Sequence, residues 1–157
     1  MELKEQLLFQ IRHQSNLFAL DQVKHNLQLF HTVRIQLIQI LRDQIQALCR
    51  YQDASGMWHT LIDDPTSYVE SSATCGFGYG ILKAVHTGLL GPEYEQTALA
   101  ALEPILGYID EDGVVSQVSY GTPMGRQSKD FYKNIELRQM PYGQALAMLF
   151  LAECLQA

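Results

Sequence analysis

Apolar side chains recur at helical spacing through the first fifty residues. Two stripes of this kind are present, one formed by Leu3, Leu7, Leu8 and Ile11 and the other by Ile38, Leu41, Ile45 and Leu48. Their spacing is the period of an amphipathic helix. Asp21 is a suitable N-cap for a short helix between them. The pattern therefore predicts separate N-terminal helices whose apolar faces belong to a core.

The pattern changes after Tyr51. Residues 52–56 form a turn cluster, 57–62 an extended piece and 63–67 a second loop, and a helix is predicted from about 70 to 90. This helix contains glycine at positions 76, 78 and 80, and each glycine inside a helix costs about 1 kcal/mol relative to alanine. We expect a neighbouring helix or a ligand to approach closely there.

The remaining chain repeats the alternation of helices and loops. A helix is predicted from about 93 to 109, followed by a hairpin-type turn at 110–113 and a β-rich piece at 114–118. A polar loop at 121–130 precedes a last helix from about 142 to 155. The predicted fold is all-α, built of helical hairpins with short β-hairpin loops.

Composition and charge narrow the classes of function. The chain has 157 residues, 47% hydrophobic and 18% charged, with a net charge of −6. An acidic protein offers no basic surface for nucleic acid or for anionic lipids. The longest apolar run, 145–152, is far shorter than the roughly 20 residues of a membrane span, so we expect no membrane segment.

The N-terminus and the cysteines bear on location. The first six residues mix charges and lack the apolar region of a secretory signal. Three widely spaced cysteines are present, Cys49, Cys75 and Cys154. An odd number in apolar helical contexts favours buried free thiols in a reducing compartment over a disulfide. We expect a cytoplasmic protein.

Motifs for metals and cofactors are missing from the sequence. None of the five histidines lies three or four residues from another, so we predict no metal site. Neither a Walker A motif nor GxGxxG occurs, and the glycine-rich segment 76–80 follows no predicted strand. We therefore predict no cofactor.

Several segments nevertheless form a recognisable series. They are Cys49–Asp53, Ser55–Trp58, Tyr68–Ala73 and Gly88–Leu90, followed by Asp110–Gly113, Gly121–Thr122, Phe131–Tyr132 and Tyr142–Met148. In this order and spacing, residues 33–157 resemble the unsaturated uronyl hydrolases, and the unsaturated rhamnogalacturonyl hydrolases in particular.

This resemblance implies a fold and a reaction. Members of the family are (α/α)6 barrels, six helical hairpins in a ring with the substrate cleft at one mouth. They act on oligosaccharides whose non-reducing end is a 4,5-unsaturated uronic acid. An Asp protonates the C4=C5 enol ether, water adds at C5, and the hemiketal collapses to release the sugar. The chemistry is general acid/base catalysis on a double bond rather than displacement between two carboxylates.

The chain departs from the family in one large respect. The family's catalytic Asp, and the residues that grip the uronate, precede the segment matched here, and no aspartate of this chain stands in a matching context. Residues 1–32, predicted as N-terminal helices of unclear family membership, are too few for three hairpins. We therefore expect residues 33–157 to be the C-terminal half of a barrel and to be inactive alone.

A half-ring exposes inner faces, so we expect a homodimer or a complementary barrel half as partner, with an unsaturated oligosaccharide as the implied ligand. Two other interpretations stay open. The chain is either a non-catalytic carbohydrate- or protein-binding half-barrel, or a structural remnant that persists as a dimer.

The resemblance also selects candidate substrate-binding residues, each with a structural alternative. Trp58 either stacks on a sugar or staples its loop to the barrel. Glu70, Ser71 and Ser72 either contact substrate hydroxyls or serve the start of a helix, with Ser71 or Ser72 as its cap and Glu70 suiting the helix dipole in the first turn. Arg126, Ser128 and Lys129 either bind anionic or reducing-side sugar groups or form a solvated loop. Tyr120 and Tyr132 either line the same cleft or pack.

Overall fold

The computed structural model describes residues 2–125 and 127–156, with side chains described from residue 21 onward. The chain is mainly helical: α1 Glu2–Tyr51, α2 Ser71–His86, α3 Glu95–Leu99, α4 Leu102–Gly107 and α5 Pro141–Cys154, with 3₁₀ helices at Pro92–Tyr94 and Lys129–Asn134. Isolated antiparallel bridges join His59 to Val69, Ile109 to Val115 and Ser119 to Leu137. Among the described helices, none combines the length and apolarity needed to cross a membrane.

The N-terminal segment is one helix, so the prediction of separate helices with an N-cap at Asp21 is wrong. Residues 2–51 contain neither glycine nor proline, and an aspartate in the interior, such as Asp21, costs too little to end a helix. Two compact units, Met1–Leu41 and Arg42–Ala157, divide the chain within α1. The predicted boundary after residue 32 also falls inside this helix.

In the first unit, the described part of α1 presents apolar side chains to solvent. Phe30 is 75% exposed, and the same holds to a lesser degree for Val23, Leu27, Leu37 and Ile40. Such side chains on a helix normally face a core or a partner.

The second unit contains the core, centred on α2 and α5. Ile81 and Leu82 from α2 are buried together with Phe150 from α5. Trp58 is fully buried, its ring N–H donates to the Leu48 carbonyl at 2.8 Å, and its ring meets Phe77 edge-on at 5.6 Å. The single tryptophan therefore joins the end of α1 to α2.

The glycines of α2 differ in what surrounds them. A Cβ at Gly78 would lie 2.5 Å from Cε2 of Phe150, whereas at Gly76 the nearest side-chain atom, on Leu146, lies at 3.7 Å. Gly80 is exposed and has no atom within 4 Å of that position. The expected close approach is thus confirmed at Gly78, where α5 packs directly on the backbone of α2, and does not occur at Gly80.

The helix predicted over 93–109 is interrupted, so that prediction is wrong in part. Pro104 has no N–H and its ring excludes the carbonyl four residues earlier, so regular bonding fails at Ala100. The freed Ala100 carbonyl packs against Gly56, where an added Cβ would lie 2.1 Å from the oxygen, and Gly56 has a φ of +88°. The amide of Gln52 donates to the freed Thr97 carbonyl at 2.7 Å. The break is therefore a packing surface for residues 52–56.

The predicted turn at 110–113 is confirmed, but the β-rich piece after it forms only a bridge. The side chain of Asp110 accepts from the N–H groups of Asp112 and Val114 at 3.1 and 2.8 Å, and Gly113 has a φ of +79°. Pairing then stops at the bridge between Ile109 and Val115. The last helix is confirmed, beginning one residue earlier than predicted.

The glycines of α2 provide a matched pair of substitutions. Gly78→Ala should lower the free energy of unfolding by about 1–3 kcal/mol, because the methyl group overlaps the ring of Phe150. Gly80→Ala should raise it by up to about 1 kcal/mol, because the site is open and alanine is the better helix former. Urea unfolding followed by Trp58 fluorescence measures both. Equal effects would contradict the packing described for α2 and α5.

Candidate functional site

Glu70 stands at the N-cap of α2, after an extended segment. Its backbone has φ −127° and ψ 123°, and its carboxylate accepts from the N–H of Ala73 at 2.5 Å. The hydroxyl of Ser72 lies 2.9 Å from both carboxylate oxygens. The first turn of a helix leaves backbone N–H groups unpaired and partly positive, so an anion here stabilises the helix.

The same carboxylate binds a distant part of the chain. One oxygen accepts the backbone N–H of Ser119 at 2.9 Å, although Glu70 is only 3% exposed. The Ser119 hydroxyl lies 2.9 Å from the hydroxyl of Tyr68, and its carbonyl accepts from the hydroxyl of Tyr142. Tyr142 in turn accepts from the N–H of Gly121 at 3.1 Å. Three segments therefore meet around one carboxylate: the start of α2, the loop at 119–121 and the start of α5.

A cavity of about 780 Å³ opens beside this junction. Its lining combines hydroxyl groups, aromatic rings and small residues, contributed by Thr60, Leu61, Glu70, Ser72, Ala73, Gly76, Phe77, Ser119, Gly121, Thr122, Tyr132, Tyr142 and Leu146. Hydroxyls that donate and accept, next to aromatic surfaces, can bind a sugar through its own hydroxyls and its apolar C–H face.

The described lining has little capacity for proton transfer. Glu70 is the only carboxylate among these residues, and the cavity wall holds no histidine, lysine or arginine side chain. Each oxygen of Glu70 accepts one backbone N–H, from Ser119 or Ala73, and the two oxygens share the single proton of the Ser72 hydroxyl, so three protein donors hold the carboxylate. The arrangement can bind a polyhydroxylated ligand, but its carboxylate serves structure.

Of the serines and the glutamate predicted at this helix, the structure brings Glu70 and Ser72 to the cavity. Glu70 itself is the cap, so the expectation that Ser71 or Ser72 caps the helix is wrong. Ser71 is fully buried, its hydroxyl has no hydrogen-bond partner within the described part of the chain, and it does not line the cavity.

The structure places Trp58 in the core of the second unit. It is 0% exposed and is not among the residues that line the cavity, and its ring contacts Leu48 at the end of α1 and Phe77 in α2. The neighbouring His59 is buried as well, with Nδ1 at 2.6 Å from the Ser67 carbonyl and Nε2 at 3.4 Å from a carboxylate oxygen of Asp53. Residues 57–59 of the extended piece are therefore core, since His59 bridges Val69 and the N–H of Trp58 donates to the Thr74 hydroxyl of α2, whereas Thr60 and Leu61 line the cavity.

The late loop lies apart from the junction. Ser128 caps the 3₁₀ helix Lys129–Asn134 by accepting from the N–H of Asp130 at 3.1 Å. Lys129 is 61% exposed at its side chain, with Nζ 3.8 Å from a carboxylate oxygen of Asp64. Arg126 lies outside the described residues. Neither Ser128 nor Lys129 lines the cavity.

The cavity is also lined by residues that the sequence did not mark as strong candidates. Tyr132 lines the cavity, whereas Tyr120 carries the guanidinium of Arg138 over its ring at 4.5 Å. Phe77 and Tyr142 line the cavity without having been singled out. A weak signal was available for them, because both lie in the first or second turn of the helices whose N-termini meet at Glu70.

The Cys75 thiol, close to the start of α2, is not a candidate nucleophile. All three cysteines are free, and Cys75 is fully buried in α2. Burial, with smaller contributions from the charges of Glu70 and Cys154, raises the pKa of the Cys75 thiol to about 12. Within the described residues, no three His, Cys, Asp or Glu side chains are grouped to hold a metal ion.

Known proteins resemble this chain in sequence and in fold. Residues 17–157 match the model of Glycosyl Hydrolase Family 88. The unsaturated rhamnogalacturonyl hydrolase YesR of Bacillus subtilis is 44% identical over 117 residues, covering 74% of this chain and 32% of that protein.

Solved structures agree. A Salmonella enterica protein described as a possible member of the GH105 family has a TM-score of 0.76 and 52% identity, over 79% of this chain and 32% of its own. A glycoside hydrolase of family 105 from C. acetobutylicum has a TM-score of 0.70 and 25% identity, over 78% of this chain and 38% of its own. The all-helical fold of these proteins is thus the fold of this chain, which spans about a third of their length.

Glu70→Gln tests the junction. An amide offers one acceptor in place of two, so an N–H of Ala73 or Ser119 loses its partner, and we expect unfolding to become easier by about 1–3 kcal/mol. Glu111→Gln removes the same charge from an exposed turn and should change stability by less than about 0.5 kcal/mol. Thermal and urea unfolding of both variants make the comparison, and equal stabilities would contradict the role given to Glu70.

Proposed function

The chain belongs to Glycosyl Hydrolase Family 88, and from that premise we propose that it forms the C-terminal part of a barrel for the hydrolysis of unsaturated uronyl oligosaccharides. In this proposal the chain binds the saccharide but does not turn it over alone. The observation that carries it is the cavity beside Glu70, whose lining is rich in hydroxyl groups and aromatic rings. The cytoplasmic location expected from the sequence belongs to the same proposal.

The need for a proton donor supports inactivity alone. Hydration of the C4=C5 bond starts with transfer of a proton from an acid to the double bond, after which water adds at C5. Glu70 is the only carboxylate of the described lining, and its oxygens are occupied by Ser72, Ala73 and Ser119. The chain matches about a third of the length of its relatives. In this proposal the acid comes from the other part of the barrel.

The aromatic and hydroxyl lining supports saccharide binding. Tyr132 and Phe77 offer ring surfaces, and Thr60 and Thr122 offer hydroxyls that can exchange donor and acceptor roles. Hydrogen bonds to these side chains would replace those that the hydroxyls of the sugar make to water, because burying an unpaired hydroxyl costs free energy. The family's ligand, an unsaturated uronyl oligosaccharide, meets these requirements.

A second copy of the chain is the partner that we propose for the exposed stripe of α1. Val23, Phe30 and Leu37 repeat every seven residues, and Val33 and Ile40 repeat in the same way between them. This is the spacing at which two helices supercoil. All five side chains are at least 42% exposed, as expected of a surface that awaits a helix.

Charge also favours pairing through this segment. The first 41 residues carry four basic and three acidic side chains, whereas the rest of the chain carries seven basic and fourteen acidic ones. Two copies meeting at the N-terminal segment are therefore not repelled there, while contact between the acidic remainders would be unfavourable.

Turnover and binding are measured on the purified chain with the pectin-derived unsaturated disaccharide. We expect no turnover, so the ultraviolet absorbance of the disaccharide should not fall. We expect binding by calorimetry, and Tyr132→Ala should weaken it roughly tenfold because the variant lacks one stacking surface. Tyr51→Ala, which removes a ring 46% exposed and outside the cavity, should bind like the unchanged chain. Turnover would contradict the inactivity, and the absence of binding would contradict the saccharide site.

Sedimentation velocity tests the dimer. The unchanged chain should sediment as a dimer, and the double variant Phe30→Asp, Leu37→Asp as a folded monomer, because two carboxylates cannot be buried between helices. Gln28→Asp adds a charge outside the heptad positions and should remain dimeric. A monomeric unchanged chain would overturn self-association and leave the stripe for a complementary barrel part.

A further inference from the structure

Two of the walls of the cavity come from regions that are far apart in the sequence. One wall includes Thr60 and Leu61, the first residues of the loop 60–67, here called the Asp64 loop. The other includes Tyr132, in the 3₁₀ helix Lys129–Asn134. The placement of the Asp64 loop relative to this 3₁₀ helix therefore affects the size of the cavity.

The Asp64 loop is tightly organised around its aspartate. One carboxylate oxygen accepts from the N–H and hydroxyl of Thr66 at 3.0 and 2.7 Å, and the Ser67 hydroxyl donates to the Asp64 carbonyl at 2.7 Å. Ser67 also accepts from the N–H of Leu61 at 3.2 Å, which fixes a cavity-lining residue to the same turn. Movement of Asp64 would therefore move this wall.

Lys133 connects this loop to the opposite wall. Its Nζ lies 2.7 Å from the second carboxylate oxygen of Asp64 and donates to the hydroxyl of Thr66 at 2.8 Å. A third contact, to Asp130 at 3.3 Å, anchors it to its own 3₁₀ helix. The ammonium group thus has an acceptor for each of its three protons.

This linkage is concentrated in few side chains. Among the described residues, the ion pairs and hydrogen bonds between the Asp64 loop and the 3₁₀ helix all come from Lys129 and Lys133. Lys129 reaches the same carboxylate only at 3.8 Å and is 61% exposed, against 24% for Lys133. A shielded short pair is screened less by salt than an exposed long one.

We propose that Lys133 is a positioning residue of the cavity: by joining Asp64 and Thr66 to the 3₁₀ helix, it holds Tyr132 at the distance from Thr60 and Leu61 that a bound saccharide requires. The proposal rests on the saccharide site proposed above. Lys133 itself does not line the cavity, so its effect on binding acts through Tyr132.

The pKa shifts agree with this geometry. The hydrogen bond from Lys133, followed by those from Thr66, lowers the pKa of Asp64 below its ordinary value, and the bond to Asp64 raises the pKa of Lys133. The contribution of Asp64 to the stability of the linkage is present above the ordinary pKa of Asp64 and is lost as the pH falls through the lowered pKa. That of Lys133 is present below its ordinary pKa and is lost as the pH rises through the raised value. With Lys129 and Asp130 as the other charges facing the pair, the linkage persists from pH ~5 to ~9.

The experiment combines hydrogen exchange with saccharide binding on the full chain. In Lys133→Met, amide exchange of peptides covering residues 129–134 should accelerate about tenfold. The Kd for the pectin-derived unsaturated disaccharide should rise roughly tenfold, because the variant must order the 3₁₀ helix when it binds the saccharide. Lys133→Arg keeps the positive charge and supplies N–H donors for the same acceptors, so it should restore most of both values, which a merely space-filling role would not do. Lys129→Met, which removes a charge near the same carboxylate, serves as control for the exchange and should leave it unchanged.

The two readouts separate the two proposals. If the unchanged chain binds no saccharide, the proposed function fails, while accelerated exchange in Lys133→Met alone still supports the linkage between the walls. If exchange at 129–134 and the Kd both stay at the values of the unchanged chain in Lys133→Met, the positioning role is overturned. An equal change of exchange in Lys129→Met would also overturn it, because net charge rather than the short contact would then be responsible.

Discussion

The carboxylate of Glu70 is the interaction on which the candidate site depends. It is almost completely buried and neutralises the unpaired N–H groups at the start of α2, while it also accepts the N–H of Ser119 from a loop 49 residues later. A buried anion is tolerated only when donors surround it, so the chain must bring these segments together. The hydroxyls of Tyr142 and Tyr68 then meet at the same serine, and Tyr142 and Ser119 both line the cavity.

This arrangement gives the carboxylate at the cavity a structural role rather than a catalytic one in our proposal. A general acid must be free to give a proton to the ligand, whereas each oxygen of Glu70 is engaged by groups of the protein. The chain spans about a third of the relatives it matches, and in our proposal the reaction depends on groups outside that third. Saccharide binding and the chemical step are thus separable properties of the fold in our proposal.

Backbone geometry fixes the shape of the second unit as much as side-chain burial does. Pro104 frees the carbonyl of Ala100, and Gly56 can approach that oxygen because it has no Cβ and adopts a positive φ. Gly78 likewise lets the ring of Phe150 reach the backbone of α2. These contacts place the extended piece 57–62, and with it one wall of the cavity, against the helices.

Much of this protein could be predicted from local sequence. The helices predicted at 70–90 and 142–155 correspond to α2 and α5, Asp110 and Gly113 marked a turn, and the ordered motifs from Cys49 to Met148 identified the family, because these features depend on neighbouring residues or fixed spacing. The sequence did not reveal that Trp58 is buried, that Glu70 rather than a serine is the cap, or that Lys133 meets Asp64 across 69 residues. Those outcomes are decided by which distant surfaces pack together, since an ion pair or a buried ring has no partner until the chain has folded.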